Sequence, residues 1–413
     1  MTNIRQGIRE GLRTGEWLTA ARMRGYGLIL LVLSALVFAG WIAVADGLID
    51  RNGQPIGTDF SNVYAAGALT WQGRSAEAYS PPLQHAAEKA VFDGREVPFY
   101  GWHYPPFFLG IAVLVAAVPY GWGLAIWLIA SFAAYLAAIR AILPRPETWL
   151  AASAFPAVFV NVGHGQNGFL TTALLGGALH WLDRRPALAG VLIGLLAYKP
   201  QFGVLIPIAL IAGGRWRTVA AAAVTVVVLV AVSFLTLGSG IWHAFTDSMN
   251  FTQTVVLEQG GTGWQKIQSI FSAVRAWGAS VPVAYAVQAS LLLSLAASMA
   301  WLWHSDAAFE LKAAALAVGS LLATPYVLDY DLVVLAVAIA FFTRYGLQHG
   351  FRDFEISLLA AAWIVPLLSR SIAGVTTIPL GLIVMLAFYA FVLRRAALDR
   401  ANIAVGASGI AQA

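Results

Sequence analysis

The twenty residues from Tyr26 to Ala45 carry no charged side chain, and stretches 218–237, 281–303 and 376–393 repeat the pattern. About 20 apolar residues is the length a helix needs to cross the hydrocarbon core of a bilayer. Inside lipid every backbone N–H and C=O must be satisfied by the protein itself, so only α-helices and closed barrels can span it. A barrel would show short alternating segments, and these long uninterrupted runs select the helix. Hydrophobic residues make up 59% of the 413 and charged residues 11%, with a mean hydropathy of +0.74. A water-soluble domain could not bury that much apolar surface, and the chain reads as an all-α polytopic membrane protein.

The remaining charge is informative by position. A net charge of +5 and a pI near 9.5 would suit nucleic acid, but the basic residues sit in short clusters beside apolar runs and report topology instead. No nucleic-acid partner is expected. There is no cysteine, hence no disulfide framework or thiolate metal site, and the seven histidines form no ligand array. No metal or other cofactor is expected.

Arg5, Arg9, Arg13, Arg22 and Arg24 place residues 1–25 in the cytoplasm as an N-terminal tail. The first apolar run has no small-residue cleavage site and reads as a retained anchor. Alternating sides from there gives a transmembrane domain over 26–396 with about twelve crossings and a cytoplasmic tail over 397–413. The first external loop covers 46–103 and the second 239–280. Apolar-periodic stretches at 62–72 and 83–92 are predicted to lie along the membrane surface. The apolar run 104–118 is too short to cross and, read as re-entrant, keeps every later basic cluster inside.

With this topology the unusually polar elements fall on the external side. The first is Gly57-Thr58-Asp59-Phe60, where Asp59 is either a helix N-cap or a general base poised at the interface. The segment with His103 and Tyr104 follows, then Gly163-His164-Gly165-Gln166-Asn167, which is either a tight turn or part of a pocket. Tyr198-Lys199-Pro200-Gln201 comes next; Lys199 either snorkels to the headgroups or neutralises a phosphate. Lys266 and Arg275 in the second external loop carry the same two readings. Asp329 and Asp331, with Tyr326 and Tyr330, are either an interfacial belt and cap or groups that orient an acceptor. Their convergence implies an external cavity lined by helices broken at Gly and Pro.

Four of these motifs in order resemble glycosyltransferase family 87, a family of GT-C-type membrane enzymes. They are Gly57-Thr58-Asp59-Phe60 with Tyr64-Ala65-Ala66-Gly67, then Tyr104-Pro105-Pro106, Gly165-Gln166-Asn167-Gly168, and Lys199-Pro200-Gln201. The resemblance runs from about residue 27 to about 335. It implies a GT-C-like bundle in a bacterial inner membrane, facing the periplasm or exterior. It further implies a polyprenyl-phosphate sugar donor, most often mannose, a lipid or glycan acceptor, and Asp59 as the catalytic base. Donor phosphate would be met by Lys199, Lys266 and Arg275. His103, Tyr104, His164, Gln166, Asn167, Gln201, Tyr326, Asp329 and Asp331 would line the substrate pocket. The chain departs from the pattern at Thr324 to Asp331, where some mannosyltransferases of this kind carry Ser-Pro followed by Trp and paired His. The rival from another class is a transporter or flippase, which would place ionisable groups near the bilayer midplane; here they crowd one surface.

Overall fold

The computed structural model describes residues 2–410 and contains no β-strand among them. The chain opens with α1 (Thr2–Thr14) and α2 (Ala20–Ala43), the latter started by Thr19, whose hydroxyl accepts from the Arg22 N–H. The loop that follows carries α3 (Phe60–Trp71) and α4 (Pro81–Val91). Pro81 and Pro82 open α4, where a missing N–H costs nothing. Next come α5 (Leu109–Val115), α6 (Tyr120–Ile142), α7 (Glu147–Ser153), α8 (Pro156–His164) and α9 (Gly168–Trp181). Then follow α10 (Pro186–Leu195), α11 (Leu205–Ala212), α12 (Trp216–Leu237), α13 (Gly240–Phe251) and α14 (Ile270–Ala276). The chain closes with α15 (Val281–His304), α16 (Phe309–Leu322), α17 (Leu335–His349), α18 (Glu355–Thr376) and α19 (Leu380–Ile410).

Seven of these helices are long and apolar enough to cross a membrane: α2, α6, α12, α15, α17 with the 3₁₀ turn ahead of it, α18 and α19. The other five crossings expected from the sequence correspond to shorter helices. Stretch 149–163 is divided between α7 and α8 just before Pro156, and 168–182 and 313–325 correspond to the 14-residue α9 and α16. Stretches 187–198 and 202–213 are α10 and α11 with 3₁₀ turns between them. The run 104–118 holds a short apolar helix, from Pro106 to Val115. Residues 397–410, assigned to a tail, continue α19 as helix.

Burial divides the helices into two kinds. α2 and α12 are exposed along apolar faces, with Val37 69% and Leu235 82% exposed, a surface that only lipid can cover. α16 is the opposite: every residue from Ala313 to Leu322 is buried, and it packs against α17 and α19 at the centre. A helix apolar all round belongs in such a core. Small residues bring neighbouring helices together, and a methyl on Gly190 or Gly194 of α10 would press into α12. The same device seats α3. Gly67 lies against the Ala112 carbonyl of α5, leaving no room for a side chain. α3 is therefore sandwiched between α4 and α5, with Phe60, Ser61, Asn62, Val63, Ala65, Ala66 and Leu69 all buried. The helix is thus covered by protein on several sides.

Candidate active site

Two glycines bring the first loop to the end of α8. Gly57 and Gly165 both adopt positive φ, 72° and 62°, and pack closely enough that a side chain on Gly165 would strike Phe60. Gly165 is the left-handed C-cap of α8, the position where a helix most often stops. Its carbonyl accepts from Trp127 Nε1 at 3.0 Å, and the Asp59 N–H donates to the His164 carbonyl at 3.0 Å. The turn geometry and the pocket reading of 163–167 are thus compatible.

Asp59 stands at the N-cap position of α3, yet its side chain caps nothing. Its Oδ2 instead accepts from Gln166 Nε2 at 3.0 Å, and its Oδ1 lies 3.9 Å from His164 Nδ1. The Thr58 hydroxyl meets the same Nδ1 at 2.9 Å. Both Asp59 and His164 side chains keep 18% of their surface open. The carboxylate is oriented by side chains distant in sequence and remains accessible, as a group that takes a proton from a ligand must be.

Behind Gln166 runs a buried polar chain. Gln166 Oε1 accepts from Tyr104 OH at 3.2 Å and from the Asn167 N–H at 3.0 Å, while Asn167 Nδ2 donates to Tyr104 OH at 2.7 Å. Tyr198 OH donates to the Asn167 carbonyl at 3.2 Å and shares a 2.6 Å bond with Thr171. Asn161 closes the turn, its amide donating to the Gln166 carbonyl and its oxygen accepting the Gly168 N–H. Apart from Asn167 Oδ1, which is buried with no hydrogen-bond partner, these groups are paired with one another, and the network holds the Gln166 amide and with it the Asp59 carboxylate.

His103, adjacent to Tyr104, bonds the Thr252 hydroxyl through Nδ1 at 2.7 Å, tying segment 46–103 to segment 239–280. Burial pushes its imidazole down to about 4, offset only in part by the charge of Asp59, so it is neutral at physiological pH. Gln201 sits half-buried in the 3₁₀ turn Pro200–Gly203 and makes no hydrogen bond to this cluster. Tyr326 packs beside Ile267, Leu328 and Tyr330.

The cations expected to meet phosphate divide sharply. Lys199 does not snorkel: it is 3% exposed, its Nζ donates to Asp331 Oδ1 at 2.6 Å, and it lies over the Tyr330 ring. Asp331 Oδ2 also accepts the Leu328 N–H, so this carboxylate caps the 3₁₀ turn and neutralises the lysine. Arg275 donates to the Glu258 and Ala279 carbonyls and stacks on Trp264. Both charges are engaged within the protein. Of the three, the Lys266 side chain alone has no hydrogen-bond or ion-pair partner among the described residues.

Two further groups were not singled out from the sequence. Glu88 of α4 is fully buried beside α3, and its carboxylate oxygens accept the Tyr100 N–H at 3.1 and 3.3 Å. One turn earlier Gln84 Nε2 donates to the Asn62 carbonyl. Burial pushes the Glu88 carboxyl up to about 8, against the Tyr100 N–H and the Ser61 hydroxyl, and the charge of Asp59 adds to the rise. The i, i+4 spacing of Gln84 and Glu88 on one face was a visible signal, but it also fits an ordinary solvated helix. The second is Arg370, the one charge in α18 beyond its first residue, which approaches Asp329 Oδ2 at 3.4 Å. A lone arginine in an apolar span is a functional signal by default.

The family model described as glycosyltransferase family 87 matches residues 102–325, more than half of the chain. No curated protein and no solved structure matches the chain.

Proposed function

The chain belongs to glycosyltransferase family 87 and is a membrane glycosyltransferase, and from that premise we propose that it moves a sugar from a polyprenyl phosphate to an envelope glycolipid or glycan. The sugar proposed is mannose, and the site faces the periplasm or exterior of a bacterial inner membrane. Asp59 takes the proton of the acceptor hydroxyl. The acceptor oxygen bonds to the anomeric carbon from the face opposite the phosphate, the carbon–oxygen bond to phosphate breaks, and the electron pair leaves with the lipid phosphate. A phosphate leaving group needs no general acid, so one carboxylate suffices where a glycosidase uses two.

The observation that carries this reading is the Asp59 side chain, which leaves its own helix uncapped and turns to Gln166. A structural N-cap would bond the next turn and would not need a buried network to aim it. Gln166 and Tyr104 position the base, and His164, itself bonded to the Thr58 hydroxyl, lies beside its second oxygen. The proposed pocket around this centre takes in Asn167, Asp329, Asp331 and Tyr326, with His103 bridging to the second loop.

Asp59→Asn keeps the shape and the bond from Gln166 but removes the base. Purified Asp59→Asn protein, incubated with polyprenyl-phosphate mannose and an acceptor extract, is expected to release polyprenyl phosphate at least about a hundredfold more slowly than wild type. Its apparent melting temperature is expected to be unchanged. Release at the wild-type rate rules out Asp59 as the base.

A further inference from the structure

Three segments far apart in sequence meet beside the Asp59 centre. The Gln268 N–H donates to the Val327 carbonyl at 2.8 Å, and Ile267 pairs with Leu328 in an isolated antiparallel bridge. These contacts set Lys266 next to Asp329. α18 packs against both 3₁₀ turns that flank this bridge, Trp264–Lys266 and Asp329–Val334: Gln265 covers Gly374, and just beyond the helix the Thr377 carbonyl accepts from Trp277 Nε1 at 3.0 Å. Arg370 is thereby carried to the same point. The positive groups facing the buried Asp329 are Arg370, Lys266 and, when protonated, His164.

The charges do not balance. Asp329 is a single carboxylate, and its Oδ1 is already occupied by the Tyr330 N–H. Arg370 reaches it through one nitrogen at 3.4 Å, a loose contact for an ion pair, and its side chain is 44% exposed. The rest of its guanidinium fork has no protein partner among the described residues, and neither has the Lys266 ammonium. Two cations around one carboxylate leave one positive charge without a partner at Asp329 itself, the next carboxylate being Asp59. That charge lies on the side assigned to the exterior, where membrane proteins avoid basic residues. Holding an arginine in an apolar span without a full set of acceptors is costly unless a ligand completes the set.

We infer that Lys266 and Arg370 form the site for the phosphate of a lipid-linked substrate, with Asp329 holding the guanidinium in place until the phosphate arrives. The guanidinium fork matches two phosphate oxygens, and the lysine adds a point charge. This rests on the donor reading above, and it reassigns the phosphate contact from Lys199 and Arg275 to a pair that includes a residue outside the matched segment. As the sugar–phosphate bond breaks, the phosphate gains a negative charge. A site with surplus positive charge holds the departing group more tightly than the intact donor, which lowers the barrier.

The test measures binding rather than turnover. Farnesyl phosphate, farnesol and inorganic phosphate are titrated by calorimetry into detergent-purified wild type, Arg370→Ala, Arg370→Lys, Lys266→Ala and Asp59→Asn proteins. Farnesyl phosphate is expected to bind Arg370→Ala and Lys266→Ala at least about tenfold more weakly than wild type, with Arg370→Lys between. Farnesol is expected to bind all five alike. Asp59→Asn is expected to bind farnesyl phosphate at least as tightly as wild type, since it removes a nearby negative charge, and this separates the site from the assignment of the base. Inorganic phosphate binding as tightly as farnesyl phosphate would overturn the lipid-linked substrate in favour of the free anion. Equal farnesyl phosphate affinity in wild type and Lys266→Ala, a substitution that removes no hydrogen bond or ion pair among the described residues, would overturn the site altogether.

Discussion

Replacing Glu88 by glutamine should make the folded protein markedly less sensitive to alkaline pH. In the folded chain the Glu88 carboxyl is raised from 4.5 to about 8, chiefly by burial. In the unfolded chain it returns to the ordinary range, so between those two values the folded state binds a proton that the unfolded state has lost. Stability therefore falls as pH rises through this window, by about 1.4 kcal/mol per pH unit and roughly 5 kcal/mol in all. The contribution is whole below pH 4.5 and gone above about 8. The glutamine would keep an acceptor for the Tyr100 N–H and never ionise. Apparent melting temperatures of wild type and Glu88→Gln, taken in one detergent at one scan rate from about pH 5 to about pH 9, should coincide at the acid end. They should diverge steadily toward the alkaline end, with the variant more stable. Parallel profiles across that range would refute the argument, because they would mean that Glu88 is solvated or already ionised in the fold.

Two other expectations bear on the frame around the site. Lys199→Met should destabilise by roughly 3–5 kcal/mol, since it strands the buried Asp331 charge, and Lys199→Met with Asp331→Asn should recover most of the loss; melting like wild type in the single variant would deny the pair. Cysteine at Glu96, whose side chain is 82% exposed in the first external loop, should react with an impermeant thiol reagent in intact cells. Cysteine at Gln348, an exposed position in the last turn of α17 on the opposite side by the charge rule, should react only after permeabilisation, and the reverse pattern would invert the topology.

The class of fold was legible because hydrocarbon imposes a single demand on every span, and that demand is written as length without charge. The long helices α2, α6, α12, α15, α18 and α19 stand where those runs lie. The shorter elements were harder, because ten to fifteen apolar residues describe a short span, a core helix and a re-entrant segment equally well; α3 looked interfacial, and only the fit of Gly67 against Ala112 shows why it is buried. Asp59, His164 and Gln166 stood out as polar residues in apolar surroundings, but the bond from Gln166 crosses 107 positions and no local pattern encodes it. The Lys199–Asp331 pair spans 132 positions, and a lysine that looked free from its neighbours was in fact neutralised by a carboxylate from another element.

That last contrast explains the arrangement of charge around the centre. A buried lysine must be matched within the protein or lose its proton, so the cation nearest the recognisable motif is the one least able to receive a ligand. Receiving an anion requires the opposite circumstances: partial exposure, an incomplete set of acceptors, and a carboxylate close enough to hold the cation without satisfying it. Arg370 meets all three conditions through its single 3.4 Å contact with Asp329 and its 44% exposed side chain. In the proposed mechanism the buried polar chain from Tyr198 to Gln166 serves a different need, since a base must be aimed before the acceptor arrives. The proposed site therefore has its rigid groups, hydrogen-bonded except for Asn167 Oδ1, behind Asp59 and its underpaired cations where α18 meets segment 264–268, and in the proposed mechanism that separation lets proton transfer and phosphate departure be probed by different substitutions.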